Sequence, residues 1–234
     1  MARMRSETAQ EGQDTERKIR ILDSAEKLFA ATGFNDTSLR SIARSAQVDL
    51  ALIGHHFGSK VNLFNAVLAR RADLVHHDRL ETLEHCRSRA KGAPPIEELV
   101  QAFFEPLFAR AIRDQDWRNY LKLVAKLSVQ REWAGALGRL YNPTAKYFVN
   151  AMRMTYPQST DERLYWAYQF LLGGMVYTGA DCGRINGLSG QIVRSDDFET
   201  AYRNLIVFVS AGVHAILRQS DFSIDSRKDK EISR

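Results

Sequence analysis

The chain has 234 residues, 44% of them hydrophobic and 26% charged, with five prolines and two cysteines. That balance belongs to a globular protein and excludes a long disordered or low-complexity chain. The formal net charge of +5 favours a polyanionic partner only weakly, because nine basic residues between Thr15 and Val75 stand against six acidic ones.

The longest apolar run, Leu205–Leu217, contains Ser210 and His214 and falls short of the roughly 18 residues a membrane span needs. The polar N-terminus carries no apolar signal core. Cys86 and Cys182 are far apart and read as free thiols in a cytoplasmic protein.

In chain order, residues 1–14 are expected to form a flexible arm. From Thr15 to Ala31, Ile21, Leu22, Ala25, Leu28 and Phe29 recur at three- and four-residue steps, which predicts an amphipathic helix. Gly33 suits its C-terminal cap. Thr37 or Ser38 caps a second helix that turns Leu39, Ile42 and Ala43 inward. Asp49 stands where it would cap a third, which holds Ala51, Leu52, Ile53 and His56. "FGSK" ends that helix, and Ser59 caps a long one from Lys60 to about Arg89.

After a loop at residues 91–95, a helix is expected to run to about Arg113, bent at Pro106. Further helices are expected at about Trp117–Glu132, Ala134–Thr155, Asp161–Thr178 and Asp196–Gln219. No stretch alternates at period two and no internal repeat occurs. The fold class is therefore all-α. Residues 15–62 form one unit, 63–219 a helical bundle, and 220–234 a disordered tail.

Two short helices joined by a tight turn and backed by a first helix make a helix-turn-helix. That arrangement puts the second short helix into the major groove of DNA. Short helices suffice because the first helix buries their apolar sides. Small residues on the free side, Ala51 and Gly54, let backbone approach the duplex.

The stretches "ILDSAEKLFAATGFNDTSLRSIARSAQVD" and "LALIGHHFGSKVNLFNAVLARR" together resemble the DNA-binding region of the tetracycline-repressor-like (TetR) family. The ordered set "LF..TGF", "TS..SIA..A.V" and "HF.SK..L" over about sixty residues carries the resemblance. It implies that Thr37 and Ser38 cap or contact near a phosphate. It implies that Leu50, Ala51 and His55 face base edges, that His56 touches the DNA backbone, and that Lys60 pairs with a phosphate. Arg40 and Arg44 are further phosphate candidates from their helical positions; a solvated helix face is the alternative.

Three positions depart from the family pattern. Gln47 stands where Gly is usual in the turn, a cost of roughly 1–2 kcal/mol if the backbone there is left-handed. Asp49 replaces Ser, and Gly54 replaces a common Tyr.

Residues 76–219 are similar to the family's ligand-binding and dimerisation domain. "PPIEELVQAFFEPLF" and "LYWAYQFLLGGMVYT" resemble PsrA-like members. The resemblance implies a homodimer packed through the last two long helices, with Gly173 and Gly174 allowing close approach. It also implies an apolar pocket for a small, acyl-type or otherwise apolar effector. Phe103, Phe104, Leu107, Trp117, Leu121, Val124, Phe148, Trp166, Phe170 and Tyr177 are its candidate lining; an aromatic stripe at this spacing also suits plain core. The function implied is a repressor of transcription that binds double-stranded DNA at a palindrome and is released by its effector, with no cofactor and no membrane partner.

Asp73, His77, Glu81 and His85 form a single file at four-residue steps, a spacing that can bind zinc but more often marks a solvated face. His214 reads as a core histidine. No HExxH, phosphate loop or nucleophile elbow occurs, so an enzyme is not expected. A ligand-independent, nucleoid-associated DNA-binding protein remains the alternative function.

Overall fold

Helix α1, Ala2–Asp36, begins the chain and kinks at Gly33 (φ 85°, ψ 174°). That conformation is open to glycine and strained for other residues. The computed structural model describes residues 2–90 and 92–218, with side chains from residue 12 onward. The stretch expected as an arm is thus, from Ala2, the polar start of α1. Its Glu, Gln, Arg and Ala residues carry good helix propensity without an apolar stripe. The expected tail at 220–234 lies outside the described residues.

Helices α2 (Leu39–Ala46) and α3 (Leu50–Phe57) follow, then the long α4 (Lys60–Ala90). Ile21, Ala25 and Phe29 of α1, Ile42 of α2, Ile53 of α3 and Phe64 of α4 are all buried. This shared core lets helices of eight residues persist.

The bundle comprises α5 (Ile96–Arg113), α6 (Gln115–Ser128), a 3-10 turn (Arg131–Trp133), α7 (Ala134–Thr155), α8 (Asp161–Gly179), the short α9 (Arg184–Leu188) and α10 (Phe198–Arg218). Helix α9 falls in a stretch expected to be irregular. Helix α5 runs through Pro106 and remains one element. No strand occurs among the described residues.

Helix α10 packs on α8 and α5, and α6 bridges α1 and α8. Gly174 permits the α8–α10 approach: a Cβ there would stand 3.0 Å from Leu205 and 3.1 Å from Val209. Gly173 faces open space. His214 is partly buried and ties α10 to the bundle, its Nε2 lying 2.8 Å from Glu97 and its Nδ1 2.5 Å from the Tyr156 hydroxyl.

The DNA-binding-like unit is joined firmly to the bundle. Glu26 of α1, 2% exposed, receives Arg70 and Arg71 of α4. Trp133 in the 3-10 turn packs on Phe34 (5.1 Å) and Phe64 (4.7 Å).

Candidate functional site

Two places draw attention: the exposed side of α2–α3 and a cavity inside the bundle. In the first, Ser38 starts α2 with a reciprocal capping pair. Its Oγ accepts from the Ser41 N–H at 3.0 Å, and Ser41 Oγ accepts from the Ser38 N–H at 3.2 Å. Two orphan donors are satisfied this way. Gln47 then turns the chain with φ 55° and ψ 49°, the left-handed conformation anticipated for the turn.

Asp49 occupies the N-cap position of α3, but its side chain makes no capping hydrogen bond. The turn is held instead by backbone, with the Leu52 N–H donating to the Asp49 carbonyl at 3.0 Å. Ile53 and Phe57 face the core, while Leu50 (42% exposed), Ala51 and His55 face outward. Arg40 and Arg44 are also exposed. The outward side of α3 therefore presents Leu50, Ala51 and His55, and the preceding helix α2 exposes Arg40 and Arg44.

Three residues of the expected DNA set are engaged elsewhere. Thr37 is buried at 3% exposure. Its Oγ1 donates to the Gly33 carbonyl at 2.7 Å and lies 2.8 Å from Thr32 Oγ1. It fastens the turn after α1 and is shielded from any phosphate; of the two adjacent hydroxyls, Ser38 is the exposed one.

The His56 side chain is turned inward, with Nε2 3.3 Å from Asp14 Oδ1 of α1. Lys60 donates from Nζ to the Asn35 carbonyl at 3.2 Å and lies over the Phe34 ring at 4.6 Å. Its ammonium caps the last turn of α1 at the rim of the same surface. Arg17 of α1 joins Arg44 and Gln47 in lining a cleft at the α2–α3 turn. It is a phosphate-facing candidate absent from the sequence-based set, and its proximity to Arg44 arises only in the fold.

The second place is a cavity of about 210 Å³ walled by helices α4 to α8. This is much more than the roughly 30 Å³ share of one liquid water. Phe103, Leu107 and Val124 of the expected lining do face it. Phe104, Leu121 and Phe148 are core residues outside its walls. Trp117 lies under the guanidinium groups of Arg71 (4.5 Å) and Arg110 (4.8 Å), away from the cavity. Trp166, Phe170 and Tyr177 point outward from α8 and are more than half exposed.

Trp166 stacks on Phe170, Phe170 and Tyr177 each share a groove with Phe208 of α10, and all four are more than half exposed, an uncovered aromatic face. Helix α10 is long and apolar enough by composition to span a membrane. Here its Leu205, Val209, Val213 and Leu217 side is buried, and Phe208 enters this face.

The polar groups of the cavity wall are few. Tyr120 donates to the Leu68 carbonyl at 3.1 Å, and its oxygen lies 2.6 Å from the Tyr141 hydroxyl. With the Tyr120 proton committed, Tyr141 is the donor of that pair. Burial pushes the Tyr120 phenol well above its ordinary pKa and that of Tyr141 up to about 12. Tyr168 is raised too, again mainly by burial.

Arg79 of α4 lies 3% exposed in the same wall. It donates from Nε to the Phe103 carbonyl at 2.7 Å and from Nη2 to Met175 sulfur at 3.3 Å. Burial lowers its pKa, but a guanidinium stays charged.

The Asp73, His77, Glu81 and His85 file is exposed along α4. Among the described residues no cluster of three or more such side chains can hold a metal ion.

This geometry, a helix-turn-helix on a helical bundle with an internal cavity, matches known regulators. Residues 21–67 match the family profile described as bacterial regulatory proteins, tetR family. Residues 101–212 match the profile described as tetracyclin repressor-like, C-terminal domain. The chain belongs to the TetR family.

Among curated relatives it is 33% identical over 90 residues to the probable HTH-type transcriptional regulator YttP of Bacillus subtilis, covering 38% of this chain and 42% of that protein. It is 40% identical over 68 residues to the HTH-type transcriptional regulator SrpR of Pseudomonas putida, covering 29% of this chain and 31% of that one. The chain thus spans less than half the length of each of these two relatives.

Among solved structures, Salmonella enterica GusR matches with a TM-score of 0.57 and 21% identity over 87% of this chain and 96% of that one. The ketosteroid transcriptional regulator KstR2 of Mycobacterium tuberculosis gives 0.57 and 19% over 84% and 94%. At these identities the likeness is one of fold.

Proposed function

We propose that this protein is a DNA-binding regulator of transcription, acting in the cytoplasm as a homodimer. In this reading it represses from a palindromic operator and is released by a small molecule held in the bundle cavity. The observation that carries the reading is α3: its apolar side is committed to the core while Leu50, Ala51 and His55 stand free and α2 exposes Arg40 and Arg44. Phosphate contacts from the arginines would fix register, and the α3 side chains would read bases.

The aromatic face on α8 and α10 supports a dimer, since an exposed apolar patch rimmed by polar residues marks an association surface. Two copies would present two α3 helices to major grooves one helical turn apart, about 34–36 Å. Two chains of contacts run from the cavity to α1. Trp133, next to the cavity residue Ala134, packs on Phe34. Tyr120 stands beside Arg71, which grips Glu26. An effector favouring one arrangement of these contacts would shift the spacing of the α3 helices. A nucleoid-associated protein without an effector would have no use for this cavity.

The test is selection of bound duplexes from a random library, followed by footprinting. One enriched palindrome is expected; uniform binding without a motif would refute the reading. His55→Ala should change the preferred bases. Arg44→Ala should weaken binding to all sequences and lower the salt slope by about 1.

A further inference from the structure

The cavity wall carries one formal charge, that of Arg79, and no Asp, Glu, Lys or His. We propose that the effector is a small organic carboxylate with an apolar body, its carboxylate paired with Arg79 and accepting a hydrogen bond from Tyr168. This deepens the reading of the cavity as the effector site and rests on it.

The other arginines that tie this structure together show what is unusual about Arg79. Arg70 and Arg71 share Glu26, and Arg110 holds Asp78. Arg79 is more deeply buried than any of them, yet among the described residues no carboxylate lies within ion-pair distance of it. Its direct polar partners are one carbonyl and one thioether sulfur, and its guanidinium lies 3.8 Å from the centre of the Phe103 ring. A buried charge without an opposite charge is strongly disfavoured. An anion entering the cavity would supply the missing partner.

The tyrosines sharpen the assignment. The protons of Tyr120 and Tyr141 are committed to the Leu68 carbonyl and to Tyr120. Tyr168 also lines the cavity, close enough to Arg79 for the two to interact electrostatically, and no hydrogen bond of its hydroxyl is found among the described residues. Its ring and the Arg79 guanidinium both pack against Phe103. One cation and one phenol therefore contact the same ring in the same wall, and a carboxylate seated between them could accept from both. A dianionic phosphate would leave net charge against carbon walls, and an amine would meet no acid. The remaining wall is mostly apolar, with Leu107, Val124 and Leu172, and adds Ser128, whose Oγ donates to the Val124 carbonyl, and the exposed Asn142; it suits a hydrocarbon or aromatic body.

The experiment is calorimetry on the full chain without DNA. The probes are straight-chain carboxylates of two to ten carbons, benzoate and phenylacetate, each with its primary amide and amine. At least one acid should bind about tenfold or more tightly than its amide. In Arg79→Met that preference should fall below about threefold. Tyr168→Phe keeps the packing, and should weaken the acid alone by roughly threefold to tenfold; it serves if Arg79→Met fails to fold. Equal binding of acid and amide, preference for the amine, discrimination retained in both variants, or no binding by any acid would overturn the proposal. DNA release is measured separately. Acid binding by a protein that selects no operator would uphold this site and sink the regulator; operator binding without acid binding would do the reverse.

Discussion

Arg71 holds both carboxylate oxygens of Glu26, donating from Nε at 2.7 Å and approaching from Nη2 at 2.6 Å. The same guanidinium lies 4.5 Å from the Trp117 ring. One side chain of α4 thus joins α1 to α6. Glu26→Gln leaves two arginines around an uncharged amide in a buried setting. Removing one partner of a buried pair costs about 3 kcal/mol or more. A fall in Tm of roughly 6–12 °C should follow, measured by circular dichroism. An unchanged Tm would mean that the pair contributes nothing net.

The left-handed backbone at Gln47 predicts a gain rather than a loss. Gln47→Gly removes the Cβ conflict and should stabilise the fold by about 1 kcal/mol. Urea unfolding should show a higher midpoint at constant slope. A lower midpoint would mean that glycine's extra freedom in the unfolded chain outweighs the relieved strain.

Phe208, 77% exposed on α10, offers a direct assay of the association face. Phe208→Glu should leave the protomer folded, because the side chain lies outside the core. It should give monomers by light scattering at micromolar concentration, and DNA affinity should fall with it. A Phe208→Glu protein that remains dimeric would move the association surface elsewhere.

Burial of tyrosines sets a limit at alkaline pH. The phenols of Tyr141 and Tyr202 are raised from about 10 to about 12, chiefly by burial. Between those values the unfolded chain loses these protons while the folded chain keeps them. The stability these groups contribute is therefore complete below about pH 10 and declines toward pH 12, by up to about 1.4 kcal/mol per unit for Tyr141 and by less for the half-buried Tyr202. Phenolate absorbance should consequently rise together with unfolding. Titration of these tyrosines near pH 10 in a folded chain would contradict their burial.

The helix-turn-helix was readable because its signals are local: the apolar spacing of α1, the caps and the kink glycine all lie within a few residues of what they govern. Which of Thr37 and Ser38 turned inward was not legible even so, since it depends on the backbone angles at Gly33, which aim its carbonyl at Thr37. The aromatic spacing of α8 revealed a helix but not which of its apolar sides met the bundle, so Trp166, Phe170 and Tyr177 could not be assigned to outside or inside. Arg79 was passed over because arginine on a helix usually lies at the surface. It falls four residues after Val75 and four before Leu83, both buried, and that stripe was the available signal.

The three tryptophans sit at three different junctions. Trp117 lies under Arg71, Trp133 against Phe34, and Trp166 outward on α8 stacked with Phe170. The molecule therefore carries its own set of optical labels. Replacing two at a time with phenylalanine leaves a single emitter. That emitter would report on the α4–α6 contact, on the seating of the helix-turn-helix, or on the meeting of two chains. Fluorescence recorded in time after mixing could then order these events, with no dye attached to the protein.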